Sequence, residues 1–209
     1  MTLHNVFRLP PMQYSGPLAA LEEGLANTLR VRYRETDLFI IDEISMCGAT
    51  MFQRIDARLR QLFDRSKPFG GKSILVVGHL RQLPPVGEKI IFKCPDLARQ
   101  ESARSQLVGR NPLWQLFQYY ELTEIMRQRN AHAFCKALNN MSEGVMDAQD
   151  IQLIKSREVA KSDAPTDAVW LFVTNKECEE FNKSLHLSLG TESIVSTAVD
   201  TVTGTYILH

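Results

Sequence analysis

The stretch Leu38-Phe39-Ile40-Ile41-Asp42-Glu43 constrains the fold of this chain more than any other. Four apolar residues in a row are too few for a buried helix. They suit a strand covered on both faces, as in a parallel sheet. Two adjacent carboxylates close the run, and open parallel sheets bind ligands beyond the carboxyl ends of their strands. The pair therefore stands where a nucleotide would bind. Ile74-Leu75-Val76-Val77, closed by Gly78, is a second run of the same kind. Between the two, Phe52, Ile55, Leu59 and Leu62 recur at helical spacing and predict a helix with its arginines on the outer side.

The rest of the chain continues the alternation. Leu18, Leu21, Leu25 and Leu29 predict an amphipathic helix over 18–32. Residues 119–122 and 169–173 read as third and fourth strands. Phe134, Leu138 and Met141 mark a helix, and Thr174 with Glu177 has capping-box spacing ahead of a helix through Phe181 and Leu185. Strands alternating with helices indicate an α/β fold with a mainly parallel sheet. The polar, aperiodic stretch 91–112 reads as a long surface excursion, and a domain boundary is expected near 124–129.

Composition narrows the classes of function. Of 209 residues, 24 are basic and 24 acidic, so net charge gives no sign of a nucleic-acid partner and a basic groove would have to be local. No apolar run approaches bilayer length, so no membrane partner is expected. Cys47, Cys94, Cys135 and Cys178 form no Cys-x-x-Cys pair, which argues against a disulfide framework or a structural zinc site. His132 and Cys135 can share a helix face but fall two ligands short of a zinc site.

Three segments carry candidate chemistry. Asp42 can hold a magnesium ion, through water, because magnesium keeps much of its hydration. Glu43 can then polarise the water that attacks a γ-phosphate. A solvated acidic pair at a strand end is the plain alternative. In Gly78-His79-Leu80-Arg81-Gln82-Leu83-Pro84-Pro85-Val86, Gln82 both donates and accepts hydrogen bonds. That suits a sensor of a phosphate oxygen or the attacking water, although a Gly/Pro turn with an incidental glutamine fits as well. In Leu122-Thr123-Glu124-Ile125-Met126-Arg127-Gln128, the planar fork of Arg127 could reach a γ-phosphate across a cleft; a surface ion pair is the alternative.

In this order, these segments resemble the Pif-type DNA helicases of superfamily 1B, including the helicases of Helitron-like transposons. Asp42-Glu43-Ile44-Ser45-Met46 resembles the family's Walker B motif, and residues 51–60 its signature helix. Pro68-Phe69-Gly70-Gly71 and Gln82-Leu83-Pro84-Pro85-Val86 resemble motif III, and Leu122-Thr123-Glu124 with Arg127-Gln128 the motif that carries the arginine finger. Leu171-Phe172-Val173-Thr174-Asn175-Lys176 resembles a strand and turn of the second RecA-like domain. Thr2-Leu3-His4 with Phe7-Arg8-Leu9-Pro10-Pro11 resembles motif Ia, which lies beside single-stranded DNA.

The resemblance implies a RecA-like P-loop NTPase fold, truncated at both ends. It divides into a partial first RecA-like domain over 1–124 and a partial second one over 125–209. It implies a 5′-to-3′ DNA helicase that turns over ATP with Mg2+ and moves on single-stranded or forked DNA. Implied roles are catalysis by Glu43, Gln82 and Arg127, nucleotide contact by Asp42, Gln82 and Arg127, metal holding by Asp42, and DNA contact by Thr2 and His4. The family's work in DNA repair, recombination and telomere maintenance implies a nuclear protein, with a mitochondrial one also consistent. The pattern is departed from in two places. The phosphate loop, Gly-x-x-x-x-Gly-Lys-Ser/Thr, is expected upstream of Thr2, and Gly70-Gly71-Lys72-Ser73 only imitates it, because it precedes a strand. His79-Leu80 also stands where motif III has Asp-Phe. These departures leave open an alternative: a degenerate, non-enzymatic remnant of a mobile-element helicase.

Overall fold

The computed structural model describes residues 1–10, 16–93, 110–126, 130–165, 167–192, 194–197 and 199. Two compact units are present, Met1–Met146 and Asp147–His209.

The first unit is built on β1 (Leu38–Ile41) and β2 (Ser73–Val76), which pair in parallel with Leu38 opposite Ser73 and Ile41 opposite Val76. Parallel neighbours need a crossover, and α3 (Ala49–Leu62) supplies it. Its apolar residues Phe52, Ile55 and Leu59 are fully buried. They form one core with Phe39 and Ile41 of β1 and with Phe7 of the short helix α1 (Leu3–Phe7). Rings of Phe52, Phe69, Trp114 and Phe117 close that core, with Trp114 stacked on Phe117 at 5.8 Å.

Several expectations change. Among the described residues the sheet is covered on one face: Phe39 and Ile41 are buried, whereas Leu38, Ile40, Leu75 and Val77 are exposed. The expected helix over 18–32 is shorter, running as α2 (Glu23–Arg32). Gln61 hydrogen-bonds both the N–H and the carbonyl of Leu21, and these long-range bonds hold that residue outside the helix. The arginines of α3 are not all on its outer side, since Arg54 and Arg58 are buried. The excursion over 91–112 is anchored at both ends. Ile91 and Asn111 are buried, Asn111 donates to the Ile91 carbonyl at 2.7 Å, and Lys93 bridges Arg110. Residues 94–109 between them lie outside the described residues.

Neither 119–122 nor 169–173 joins a sheet among the described residues. A strand needs a neighbour to satisfy its N–H and C=O groups, and Tyr119, Tyr120 and Leu122 are exposed. Helix α4 (His132–Glu143) falls where Phe134, Leu138 and Met141 predict it and ends on left-handed Gly144.

The second unit contains α5 (Ala148–Lys155), capped by Asp147, and α6 (Asn175–Ser188). Thr174 and Glu177 form the expected capping box. Trp170 and Phe172 pack on Phe181 of α6 at 5.4 and 5.1 Å, while Val169, Leu171 and Val173 are exposed. The expected fourth strand over 169–173 is instead a segment outside any sheet among the described residues, whose Trp170 and Phe172 rest on a helix. Among the described residues, no helix is long and apolar enough to cross a membrane.

Candidate nucleotide-binding edge

Because β1 and β2 run in parallel as neighbours, the residues that follow them emerge at the same sheet edge. Asp42 and Glu43 leave β1 there, and Gly78 to Gln82 leave β2. The two exits are tied together. Val77 N–H donates to the Ile41 carbonyl at 2.8 Å, and Ile44 N–H donates to the Val77 carbonyl at 3.0 Å. Gly78, at φ 153, passes so close that a Cβ there would lie 2.8 Å from the Ile44 nitrogen. Glycine is what allows the second loop to rest against the acidic one.

Both carboxylates face solvent. Glu43 takes a left-handed backbone, φ 52 and ψ 46, which is uncommon for a residue with a side chain and is concentrated at functional sites. The Asp42 carboxylate stabilises this turn by accepting the Glu43 N–H at 2.8 Å through Oδ1. Its Oδ2 has no such role. Beyond Glu43, Ile44–Met46 form one 3-10 turn and α3 begins after Gly48. The amino end of α3 is covered by Glu88, whose Oε2 accepts the Met51 N–H at 3.2 Å, so that end is occupied by a side chain of the protein. Nearby Cys47 is buried, and burial, with the Glu88 charge adding to it, pushes its thiol up to about 12.

The turn after β2 carries its own cap. His79 Nδ1 accepts the Arg81 N–H at 3.2 Å, and the Gln82 N–H donates to the His79 carbonyl at 2.9 Å. A side-chain acceptor at i engaging the N–H of i+2 is the bond an aspartate makes in an Asx turn. His79, as the tautomer with its proton on Nε2, thus reproduces the contact available to the aspartate of the resembled pattern. Gln82 is exposed at this edge, and buried Pro85 fixes the way out. Arg81 reaches α4, donating to Glu143 Oε1 at 2.9 Å and Ser142 Oγ at 3.1 Å.

The structure therefore brings Asp42, Glu43 and Gln82 to one edge. Arg127 lies outside the described residues. Thr2, which caps the start of α1, is exposed, and His4 within α1 is half-buried. Among the described residues, no three His, Cys, Asp or Glu side chains cluster as a metal cage. A single exposed carboxylate fits magnesium, which takes one or two carboxylates and completes its shell with water and phosphate oxygens. The site features that the sequence did not reveal are Glu88 and the buried pair Arg54 and Arg58. Gly78 was named as the glycine closing an apolar run, but its close approach to Ile44 was not legible.

Comparison with known proteins places this edge in context. Residues 1–152 match the PIF1-like helicase family model. The ATP-dependent DNA helicase PIF1 of Emericella nidulans is 30% identical over 176 residues, covering 83% of this chain and 22% of that protein. The Candida albicans protein of the same name is 29% identical over 181 residues, covering 81% and 19%. The Bacteroides Pif1 helicase solved with ADP-AlF3 and single-stranded DNA superposes with a TM-score of 0.63 at 26% identity, over 92% of this chain and 44% of that one. The Candida albicans Pif1 structure gives 0.57 at 26% identity, over 82% and 36%. The fold is RecA-like, with the parallel pair β1–β2 as part of its sheet. The chain belongs to the PIF1-like helicase family and spans about a fifth of the length of the two relatives named here, 22% and 19%.

Proposed function

We propose that this chain is the portion of an ATP-dependent DNA helicase that activates water for ATP hydrolysis. The observation that carries this reading is the joining of Asp42-Glu43 and the 78–82 turn at the carboxyl edge of two parallel strands. Asp42 is the residue that would hold Mg2+, its exposed carboxylate supplying one oxygen ligand to the ion or its waters, while Oδ1 also fixes the turn. The ion, when bound, neutralises phosphate charge. Glu43 takes a proton from the attacking water, and its position on a left-handed backbone aims it by geometry that is set before substrate arrives. Gln82 donates to a phosphate oxygen or orients the water. Arg127 supplies the bidentate charge that stabilises the transition state from beyond the first RecA-like domain.

The division into partial RecA-like domains over 1–124 and 125–209 is part of this reading. So is stepping 5′-to-3′ along single-stranded or forked DNA, with Thr2 and His4 on the DNA side. The named relatives are ATP-dependent DNA helicases, and the Bacteroides Pif1 structure described above is a complex with ADP-AlF3 and single-stranded DNA, which supports the substrate class. DNA repair and recombination, in nucleus or mitochondrion, is the setting this function would serve. The alternative of a non-enzymatic remnant draws on His79, but the His79 Nδ1 to Arg81 contact keeps the turn in order and favours the working motor. The test is ATPase activity of residues 1–209 joined behind a phosphate-loop segment. Turnover stimulated by single-stranded DNA is expected. Magnesium-ATP binding without DNA-stimulated turnover would favour the remnant.

A further inference from the structure

Helix α3 carries Arg54, Arg58 and Gln61 at i, i+4 and i+7, which places them on one face. Arg54 and Arg58 are only 4% and 2% exposed. All three side chains bond the backbone of the amino-terminal segment. Arg54 Nη2 donates to the Gly16 carbonyl at 3.1 Å, and Gln61 holds Leu21. Arg58 does the most. Its Nη1 donates to the Ala19 carbonyl at 3.2 Å and to Gln61 Oε1 at 2.6 Å, its Nε to the Phe7 carbonyl at 3.1 Å, and its Nη2 to the Arg8 carbonyl at 3.2 Å.

The carbonyls of Phe7 and Arg8 sit at the end of α1, where no further turn of helix can satisfy them. A five-residue helix has no stability of its own in water, and Arg8 is a non-glycine residue held at φ 49. Tyr33 adds a third grip, its hydroxyl donating to the Val6 carbonyl at 3.1 Å. Among the described residues, no carboxylate pairs with Arg58. Its charge rests on four neutral acceptors, and burial pushes its pKa down from the ordinary value. A leucine would fill the space without that desolvation cost. What the guanidinium adds is a rigid planar fork that fixes residues 7, 8 and 19 against one helix.

We propose that Arg58 is a positioning residue: it ties α1, with Thr2 and His4, to the helix that follows Asp42-Glu43, and so sets the DNA-facing segment from the nucleotide side of the domain. This rests on the proposed function, in which α1 faces DNA. The test uses the 209-residue chain, amide hydrogen exchange by mass spectrometry, and fluorescence anisotropy of a labelled oligothymidine. Arg58→Lys keeps the charge and loses the fork. It is expected to speed exchange over residues 3–9 about tenfold, to leave residues 38–44 unchanged, and to weaken oligothymidine binding about tenfold, the effect of losing a hydrogen bond or two. Tyr33→Phe, which removes one hydroxyl, is expected to shift both readouts in the same direction by roughly twofold to fivefold, and it serves if the lysine variant does not fold. Exchange that rises equally over 3–9 and 38–44 would mean general loosening and overturn the role. A wild-type chain that binds oligothymidine no better than its variants overturns the role alone. A wild-type chain that binds none overturns the DNA-facing reading and this role with it.

Discussion

Gly70 and Gly71 give a paired test of how the turn before β2 is built. Both have left-handed backbones, φ 64 and φ 80. They differ in what surrounds them. A methyl on Gly70 would press into the Leu59 carbonyl of α3, 2.8 Å from its carbon and 3.1 Å from the Phe63 Cβ. A methyl on Gly71 would meet only the Lys67 side chain, at 3.3 Å from Cδ. That chain can swing away, whereas the helix backbone cannot. The left-handed strain, of the order of 1–2 kcal/mol for alanine, is common to both variants and is partly offset by the stiffer unfolded chain, about 0.4–1 kcal/mol. Gly70→Ala adds overpacking of about 1–3 kcal/mol. Gly71→Ala should therefore cost about 0–1.6 kcal/mol and Gly70→Ala about 1–4.6 kcal/mol, the difference being the overpacking alone. Urea denaturation followed by the fluorescence of Trp114, which stacks on Phe117 in this core, reads the difference. Trp170 is replaced by Phe in all versions so that only the first unit reports. At an m-value of roughly 1–3 kcal/mol/M the two midpoints should separate by about 1 M. Equal midpoints would show that the Leu59 contact does not determine this turn.

The Cys47 thiol, raised to about 12 by burial and then by Glu88, should resist alkylation at pH 8, while exposed Cys178 is modified; peptide mass spectrometry showing equal labelling would contradict the buried geometry. The sign of the shift also means that Cys47 favours the folded chain below the ordinary thiol range and loses that contribution as pH rises towards about 12. His79→Asp should keep the acceptor for the Arg81 N–H and preserve ATPase activity of the phosphate-loop-joined polypeptide, whereas His79→Leu should lose roughly tenfold, about one hydrogen bond. Equal rates in all three would remove the turn from the mechanism. Residues 1–209 alone contain no phosphate loop, so their magnesium-ATP dissociation constant by calorimetry should be of the order of millimolar or weaker. A micromolar value would place the nucleotide site elsewhere.

Local periodicity made the centre of the fold legible. Four-residue apolar runs located β1 and β2, the 3.6-residue recurrence located α3 and α4, and a capping box located the start of α6. The carboxylates of Asp42 and Glu43 could be placed at a sheet edge because a parallel strand ends where its apolar run ends. What could not be read were features set by contacts distant in sequence. Arg54 and Arg58 look like solvated helix arginines until the carbonyls of residues 7, 8, 16 and 19 are brought against them. Leu18 and Leu21 keep helical spacing but are held outside α2 by Gln61 and the core. Residues 119–122 and 169–173 have strand composition, yet pairing is a property of the neighbour as much as of the segment.

The proposed role of Glu43 is to activate water beside an Asp42 that would hold magnesium. The direct measurement compares Glu43→Gln with the unaltered sequence, both joined behind a phosphate-loop segment, by ATP turnover and by magnesium-ATP binding. The amide keeps shape and hydrogen bonding but cannot take a proton. Turnover should fall by roughly two to four orders of magnitude while ATP is retained, whereas Asp42→Asn should weaken the magnesium-dependent binding itself. Full turnover in Glu43→Gln would contradict the assignment.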